Sequence, residues 1–343
     1  MPVIQADRLE RLTEAIFVAL GAPEEDSRWI ATLLVRANLR GHDSHGVIRI
    51  PQYAGAVKRG DANPKPTIRV LSETPTTALV DGDLGFGQVV ARRATEIAVA
   101  KARAQGLAGV GCSRSNHIGR LADYAELAAA QGLIGMLWVN SPASGSVVPW
   151  GGIARRLSTN PHAVAIPGRN GPALSLDMAT SVVAQGKLRV KRNRKEPAPP
   201  GWMIDAQGRP TTDPEAFFGE PRGALLPLGE HKGYGLSLIV EILGGVLSGT
   251  GAGRPEAGPA RNGVFILCLD VERFLPLDRF YAEVERFIAY VKSSPRAEGI
   301  AEILVPGEPE ERTAAERRTA GIFVEEETWR QIRAVARELR VSA

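Results

Sequence analysis

The sequence predicts an α/β protein. Amphipathic helical patterns open and close the chain, short apolar runs with strand character alternate with helices between them, and no internal repeat is visible. At 343 residues the chain exceeds the usual size of a single core, so one large or two interleaved domains are expected. Apolar residues at 44% and charged residues at 23% are ordinary for a globular chain and exclude general disorder or a fibrous repeat.

Each element follows from its local pattern. Leu9, Leu12, Ile16 and Leu20 recur at helical spacing over 6–20, and Trp29, Leu33 and Leu34 repeat it over 24–39. Asp43 or Ser44 can cap a further helix that carries His45 and Arg49 and runs on to Lys58, with Pro51 tolerated near its first turns. Segments 67–71 and 76–80 read as strands, and the turn Asp81-Gly82-Asp83 precedes an alanine-rich helix over 88–105. Strands follow at 107–112, 133–139, 163–166 and 173–176, with a helix through Tyr124 and Leu127 after the polar loop 115–121. The basic run 187–195 reads as a solvated loop, and 201–213 as an extended surface connection. Glu230 to Gly235 leads into the most apolar helix, read as buried, which ends at Ser248-Gly249 before a Gly/Pro/Ala loop over 251–263. A strand at 264–271, an amphipathic helix at 278–292, a short strand at 303–305, a charged loop at 306–312 and a closing helix at 327–340 complete the chain.

Composition excludes several classes of function. A net charge of +4 fits an anionic substrate without selecting one, and the basic run 187–195 lacks interleaved aromatics, so no nucleic-acid site is read from it. The apolar run 234–247 carries Glu241 and is too short to span a bilayer, while 1–11 has acidic residues where a signal peptide needs an apolar stretch. A cytoplasmic protein without a membrane partner is expected. Cys112 and Cys268 lie inside strand-like runs and are expected to be buried thiols.

The chemistry concentrates in Gly41-His42-Asp43-Ser44-His45-Gly46-Val47-Ile48-Arg49, which gathers two imidazoles, a carboxylate, a hydroxyl and a guanidinium. A spacing of four puts His45 and Arg49 on one helical face, so an acid/base group sits beside a carboxylate clamp. That pairing suits a small 2-oxo or 2-hydroxy acid. His42 and His45 alone fall short of a three-ligand metal site. Gly85-Phe86-Gly87-Gln88-Val89-Val90-Ala91 matches the spacing of a dinucleotide-binding fingerprint, yet the next strand ends in Ser113-Arg114 where an acidic residue should bind ribose. An Arg there would suit NADP. Asp177 stands at a strand end with Thr180 or Ser181 near a helix start, where backbone amides hold phosphate, and His231 and Lys232 at a helix start suit phosphate or ribose.

These residues fall into six motifs: Arg40-Gly41-His42-Asp43-Ser44-His45-Gly46, Asn116-His117-Ile118-Gly119-Arg120, Thr159-Asn160-Pro161, Leu176-Asp177-Met178-Ala179-Thr180-Ser181, Glu230-His231-Lys232-Gly233-Tyr234-Gly235 and Pro306-Gly307-Glu308. In this order they resemble the malate/L-lactate dehydrogenase family, which includes ureidoglycolate and sulfolactate dehydrogenases and cyclic imine reductases. The likeness runs almost end to end. Pro199-Pro200-Gly201, Thr211-Thr212-Asp213-Pro214 and the stretch from Glu230 to Gly245 look closest to its bacterial hydroxycarboxylate dehydrogenase branch.

The resemblance implies a fold that is not a Rossmann fold: a mixed sheet with helices from both chain ends packed together, and a cofactor bound at a homodimer interface. It implies a helical domain of 1–75 with 300–343 and a binding domain of 76–299. The fingerprint at Gly85 then becomes a structural turn. His45 would be the acid/base with Ser44 as its partner, His117 the competing base, and Arg49 and Thr159 the substrate ligands. Gly119, Arg120, Leu121, Leu176, Asp177, Met178, Ala179, His231, Lys232, Gly307, Glu308 and Pro309 would line NAD or NADP, with no metal. Pro309 departs from the family pattern and leaves the choice between those cofactors open. The implied reaction is hydride transfer between NAD(P)H and a small 2-oxo or 2-hydroxy acid, with reduction of a cyclic imine carboxylate as the alternative. A metal-dependent hydrolase or lyase built on His42, Asp43 and His45, or an anion-binding module without turnover, are the readings from other classes.

Overall fold

The computed structural model describes residues 2–142, 145–254 and 261–342. In chain order the strands are β1 (Val3–Ile4), β2 (Arg69–Glu73), β3 (Thr77–Asp81), β4 (Leu107–Ser115), β5 (Leu133–Asn140), β6 (His162–Gly168), β7 (Gly171–Met178), β8 (Met203–Ile204), β9 (Pro210–Thr211), β10 (Ala224–Leu225), β11 (Asn262–Asp270) and β12 (Ile322–Phe323). The helices are α1 (Ala6–Ala19), α2 (Glu24–Leu39), α3 (Ile50–Lys58), α4 (Gly87–Gln105), α5 (Ala122–Ala129), α6 (Gln185–Asn193), α7 (Glu215–Phe218), α8 (His231–Val240), α9 (Leu277–Lys292), α10 (Glu308–Ala320) and α11 (Glu326–Glu338).

Alternation along the central strands builds the main layer. Ala108, Val110 and Cys112 of β4, Leu133, Leu137 and Val139 of β5, and Val264, Ile266 and Cys268 of β11 are buried together under α4 and α5. Gly135 lies so close beneath α5 that a Cβ would stand 2.6 Å from the Ala125 carbonyl. The resulting seven-stranded sheet runs β2-β3-β4-β11-β5-β6-β7, and only β3 and β4 are parallel, joined through α4. A mostly antiparallel order is incompatible with the doubly wound parallel sheet that the Gly85 fingerprint would need.

The two chain ends meet. β1 pairs with β12, Val3 opposite Phe323, and Leu9, Ile16, Phe17, Ile30, Leu34, Ile50, Ile332 and Ala336 form one core from α1, α2, α3 and α11. A third, smaller cluster gathers Leu188, Met203, Phe217 and Leu225 around the sheet β10-β8-β9.

Six local expectations are corrected. The basic run 187–195 is mostly the helix α6, because Leu188 has a core to enter while the cations stay on the other face. Segment 201–213 supplies β8 and β9 and buries Met203, since the turn residues there connect strands. The apolar helix from Glu230 is only partly buried. It runs through α8 into a π-helical stretch, Glu241–Leu247, and leaves Leu238, Ile239, Ile242, Val246 and Leu247 exposed because the sheet covers just one of its sides. Residues 306–312 open α10 instead of forming a loop: Gly307 at φ 102 is followed by Pro309 and by Glu308, Glu310 and Glu311, which complement a helix N-terminus. No strand forms at 303–305: the segment reaches the β7 edge through the bond from Ser175 N to Pro306 O at 3.0 Å and then turns into α10. The helix expected from Asp43 is broken at Gly46. Residues 255–260 of the loop read at 251–263 lie outside the described residues.

Candidate active site

Asn38, in the last turn of α2, shapes the segment that follows. Its Oδ1 accepts from Val47 N at 2.8 Å and its Nδ2 donates to Asp43 Oδ1 at 2.7 Å, while Arg317 of α10 pairs with the same carboxylate at 2.7 Å. With Asp43 so occupied it caps nothing, and a Cβ on Gly46 would run into the Asn38 amide. The backbone therefore makes two short 3-10 turns, Asp43–His45 and Val47–Arg49, on either side of Gly46. His45 and Arg49 still reach one cavity, as the spacing suggested, although the conformation that brings them there differs.

The cavity measures about 300 Å³. Ser44 Oγ lies 3.0 Å from His45 Nδ1, and Arg49 is held by Nε donating to Ser44 O at 2.7 Å and Nη1 donating to Gln52 Oε1 at 2.7 Å. Opposite, His117 stacks on His45 with ring centroids 5.5 Å apart, and its Nδ1 lies 2.7 Å from Tyr53 Oη. Asn116 anchors this wall by donating to Leu84 O at 2.6 Å, and Ile118 N donates to Asn262 Oδ1 at 3.1 Å. Thr159 forms a third wall. Beside it, Asn160 is buried with Nδ2 donating to Glu241 Oε2 at 2.7 Å and Ser237 Oγ at 3.0 Å. Ala184, Gln185 and Gly186 at the start of α6 close the fourth side, and a Cβ on Gly186 would stand 2.5 Å from Ser44 Cβ.

Burial dominates the electrostatics. It pushes His45 down to about 3, with the Arg49 guanidinium adding repulsion, and it holds His117 well below the ordinary histidine range with Arg49 and His45 adding to the effect. Tyr53 is pushed up to about 12 by burial. In the free protein the site thus offers two neutral imidazoles, one neutral phenol and one guanidinium.

The cavity brings together Ser44, His45, Arg49, His117, Gly119, Leu121 and Thr159 of the residues expected from sequence. Arg120 is not on its wall. Its guanidinium is buried against Asp123 at 3.2 Å and Glu126 at 2.8 Å. Asp177 lies within β7 and accepts from Ala122 N at 2.9 Å, with burial raising its pKa, and Leu176, Met178 and Ala179 adjoin it. Thr180 and Ser181 start no helix: both Thr180 N and Oγ1 donate to Thr159 O, and Ser181 Oγ donates to Val183 O, so no helix-start phosphate site forms there. His231 and Lys232 are exposed at the start of α8 and do not line the cavity. Gly307 and Glu308 border a separate hollow of about 230 Å³ with Arg40, Glu126, Ser175 and Glu311, beside the exposed Pro309. His42 turns away from His45 toward Glu310, 3.4 Å distant, and among the described residues no three His, Cys, Asp or Glu gather as metal ligands.

Tyr53, Gln88, Gly186 and Asn262 were given no role in the site, and Asn160 was read only as part of the motif Thr159-Asn160-Pro161. Tyr53 falls two turns beyond His45 on one helical stripe, which was a usable signal, whereas Gln88 and Asn262 join the site only through tertiary contacts.

The sequence profile described as malate/L-lactate dehydrogenase matches residues 4–333. The chain belongs to the malate/L-lactate dehydrogenase family. A malate dehydrogenase from Pyrococcus horikoshii is 40% identical over 98% of this chain and 96% of its own length. Its solved structure superposes with a TM-score of 0.90 at 38% identity, covering 100% of this chain and 97% of that one. An L-sulfolactate dehydrogenase from Methanocaldococcus jannaschii is 38% identical over 98% of this chain and 97% of its own. More distant is a delta1-piperideine-2-carboxylate reductase from Pseudomonas syringae, with TM-score 0.84, 28% identity, and 98% and 100% of the two chains covered. The six motifs thus led to the right family, and the Gly85 fingerprint did not define the fold.

Proposed function

We propose that this protein transfers a hydride between a nicotinamide cofactor, NAD or NADP, and C2 of a small 2-hydroxy or 2-oxo acid. The observation that carries the reading is the convergence of His45, His117 and Arg49 in one half-closed cavity. Ile118, Leu121, Val139 and Pro161 supply apolar wall for a flat ring, and Arg49 keeps Nη2 for a carboxylate. A volume of about 300 Å³ fits a nicotinamide ring with a small acid but not a whole dinucleotide, so the adenosine part would lie beyond the rim.

When bound, the nicotinamide supplies the hydride chemistry at C2. Arg49 fixes the carboxylate and so the face of C2, and His45 Nε2 accepts the hydroxyl proton in oxidation or returns it in reduction. Ser44 steadies the imidazole through Nδ1, and the apolar wall limits water at the reacting carbon. The adenosine part of the cofactor would follow Leu176 to Ala179, His231, Lys232 and Gly307 to Pro309, with Gly119 and Leu121 near the ring and Arg120 holding that segment from behind through Asp123 and Glu126; the hollow beside Gly307 supports that course. A homodimer completes the reading, supported by the exposed apolar side of α8 and its π-helical extension. Among the described residues no helix is long and apolar enough to cross a membrane, consistent with the cytoplasmic location we propose.

The alternative is reduction of a cyclic imine carboxylate, favoured by the likeness to the piperideine-carboxylate reductase and by a clamp that any 2-carboxylate fits. Absorbance of NADH and NADPH measured against a panel of 2-oxo acids and cyclic imines decides. Turnover of an oxo acid is the expected result, turnover of imines alone would transfer the assignment, and indifference to both cofactors would refute it. His45→Ala should lower kcat by roughly two to four orders of magnitude with cofactor binding intact. Near-normal activity in His45→Ala, with the loss found in His117→Ala, would move the proton to His117.

A further inference from the structure

Gln88 is fully buried and takes no part in the proposed hydride and proton transfers. It stands in the first turn of α4, and Trp29 Nε1 donates to its carbonyl at 3.0 Å. Its side-chain Nε2 donates to Tyr53 Oη at 3.0 Å, and that oxygen lies 2.7 Å from His117 Nδ1. We infer that Gln88 is a positioning residue which, through Tyr53, fixes His117 as the Nε2–H tautomer, so that His117 is a standing hydrogen-bond donor in the cavity and His45 alone exchanges the proton. This rests on reading the cavity as a hydroxy-acid site.

With the Gln88 amide placed so that Nε2 is the donor and Oε1 is buried without a partner, the direction of the chain decides the tautomer. The Tyr53 hydroxyl has one hydrogen, and with the Gln88 N–H bonded to its oxygen that hydrogen has two acceptors within reach, His117 Nδ1 at 2.7 Å and the His117 carbonyl oxygen at 3.4 Å. A separation of 3.4 Å is long for an O–H donor, so the hydrogen belongs on the line to Nδ1. A neutral imidazole that accepts at one nitrogen donates at the other, which leaves the ring hydrogen on Nε2. Burial keeps the Tyr53 proton on the phenol through the neutral range, so the chain does not reverse by ionisation.

His45 is supported differently. Its Nδ1 faces the Ser44 hydroxyl at 3.0 Å, and a serine hydroxyl rotates to donate or accept, so His45 Nε2 can gain and lose a proton without losing its partner. The two stacked rings therefore divide the work. In oxidation the substrate hydroxyl proton passes to His45 Nε2, the hydride leaves C2 for the cofactor that the proposed reaction supplies, and His117 keeps its ring hydrogen while polarising the substrate oxygen. His117 gives up no proton because doing so would leave an imidazolate.

Nitrogen NMR of the histidine rings in the full-length protein tests this, with His117→Gln assigning the His117 signals. The expected pattern is a protonated, pyrrole-type Nε2 and a pyridine-type Nδ1 at neutral pH; the reverse pattern overturns the inference. Gln88→Met keeps the volume and removes the donor, so the His117 signals should move toward a mixture of tautomers while kcat falls roughly 10- to 100-fold and KM changes little. A folded Gln88→Met protein with the native ring pattern and native kcat overturns it as well. Should that variant fail to fold, the native spectrum alone decides. The spectrum needs no turnover, so absence of activity toward every acid would refute the proposed function while leaving the tautomer assignment to its own result.

Discussion

His45 and His117 lie nearly face to face, their ring planes 22° from parallel and their centroids 5.5 Å apart. A proton on either ring would face the other ring and the Arg49 guanidinium, and burial already disfavours the charge. Neither ring is therefore charged in the free enzyme near neutrality. For hydroxy-acid oxidation kcat/KM should stay level through the ordinary histidine range, since His45 becomes protonated only toward about pH 3. Once a substrate carboxylate balances Arg49, the repulsion falls, so the acid limb of kcat should lie at higher pH than that of kcat/KM. Parallel pH profiles measure both, and a kcat/KM limb centred at the ordinary histidine pKa would contradict the depressed value.

Stability carries the same signature. Because the folded pKa of His45 lies below its unfolded value of 6.5, the unfolded chain takes up the proton first as pH falls, and this group's stabilising contribution is lost between 6.5 and about 3. Above 6.5 both states are neutral at this position, so it adds no pH dependence there. Thermal melts of native protein and His45→Gln should diverge below 6.5, the native protein losing stability more steeply.

Arg49→Lys should act mainly on substrate binding. The guanidinium spends Nε on Ser44 O and Nη1 on Gln52 and still has Nη2 to offer, whereas an ammonium cannot hold that geometry and grip a carboxylate in a fork. KM for the acid should rise roughly 10- to 100-fold with a smaller change in kcat, the size expected for a charge-assisted hydrogen bond. Steady-state kinetics check it. An unchanged KM would remove Arg49 from the carboxylate site.

What could be read from the chain differed by residue. His45 and Arg49 were legible because both sit in one short segment, and even the wrong helix placed them on the same side. The central strands were legible because Val110, Leu137 and Ile266 belong to apolar runs bounded by turn formers. Residues whose role depends on a distant partner were not. Gln88 meets Tyr53 across 35 positions, Asn160 meets Glu241 across 81, and Asp43 meets Arg317 across 274. Composition misled where one buried residue outweighed many charges, as when Leu188 made a helix of a basic run, and where an apolar helix was assumed to be covered by its own chain.

That uncovered helix leads to a prediction about assembly. Leu238, Ile239, Ile242, Val246 and Leu247 lie 39% to 55% exposed along one stretch, the kind of apolar surface that marks an interface. Sedimentation should show a dimer whose dissociation on dilution costs activity, and added cofactor should shift the equilibrium back toward the dimer by mass action. Ile242→Arg should weaken association. A fully active monomer at every concentration would sink the idea.

The last prediction concerns Gly87, the second glycine of the fingerprint. A Cβ there would press into the backbone of Asn116 and His117, and backbone cannot swing aside as a flexible side chain can. The glycine is needed so that the first turn of α4 can lie against the segment that carries His117. Gly87→Ala should therefore push His117 out of register with His45, destabilising the protein by about 1–3 kcal/mol as overpacking does. It should lower kcat more than it weakens cofactor binding, because the displaced group is the ring beside the substrate. Melting temperature, kcat and cofactor affinity measured together give the answer. Loss of cofactor binding with native stability and native kcat would mean that Gly87 cradles the cofactor instead.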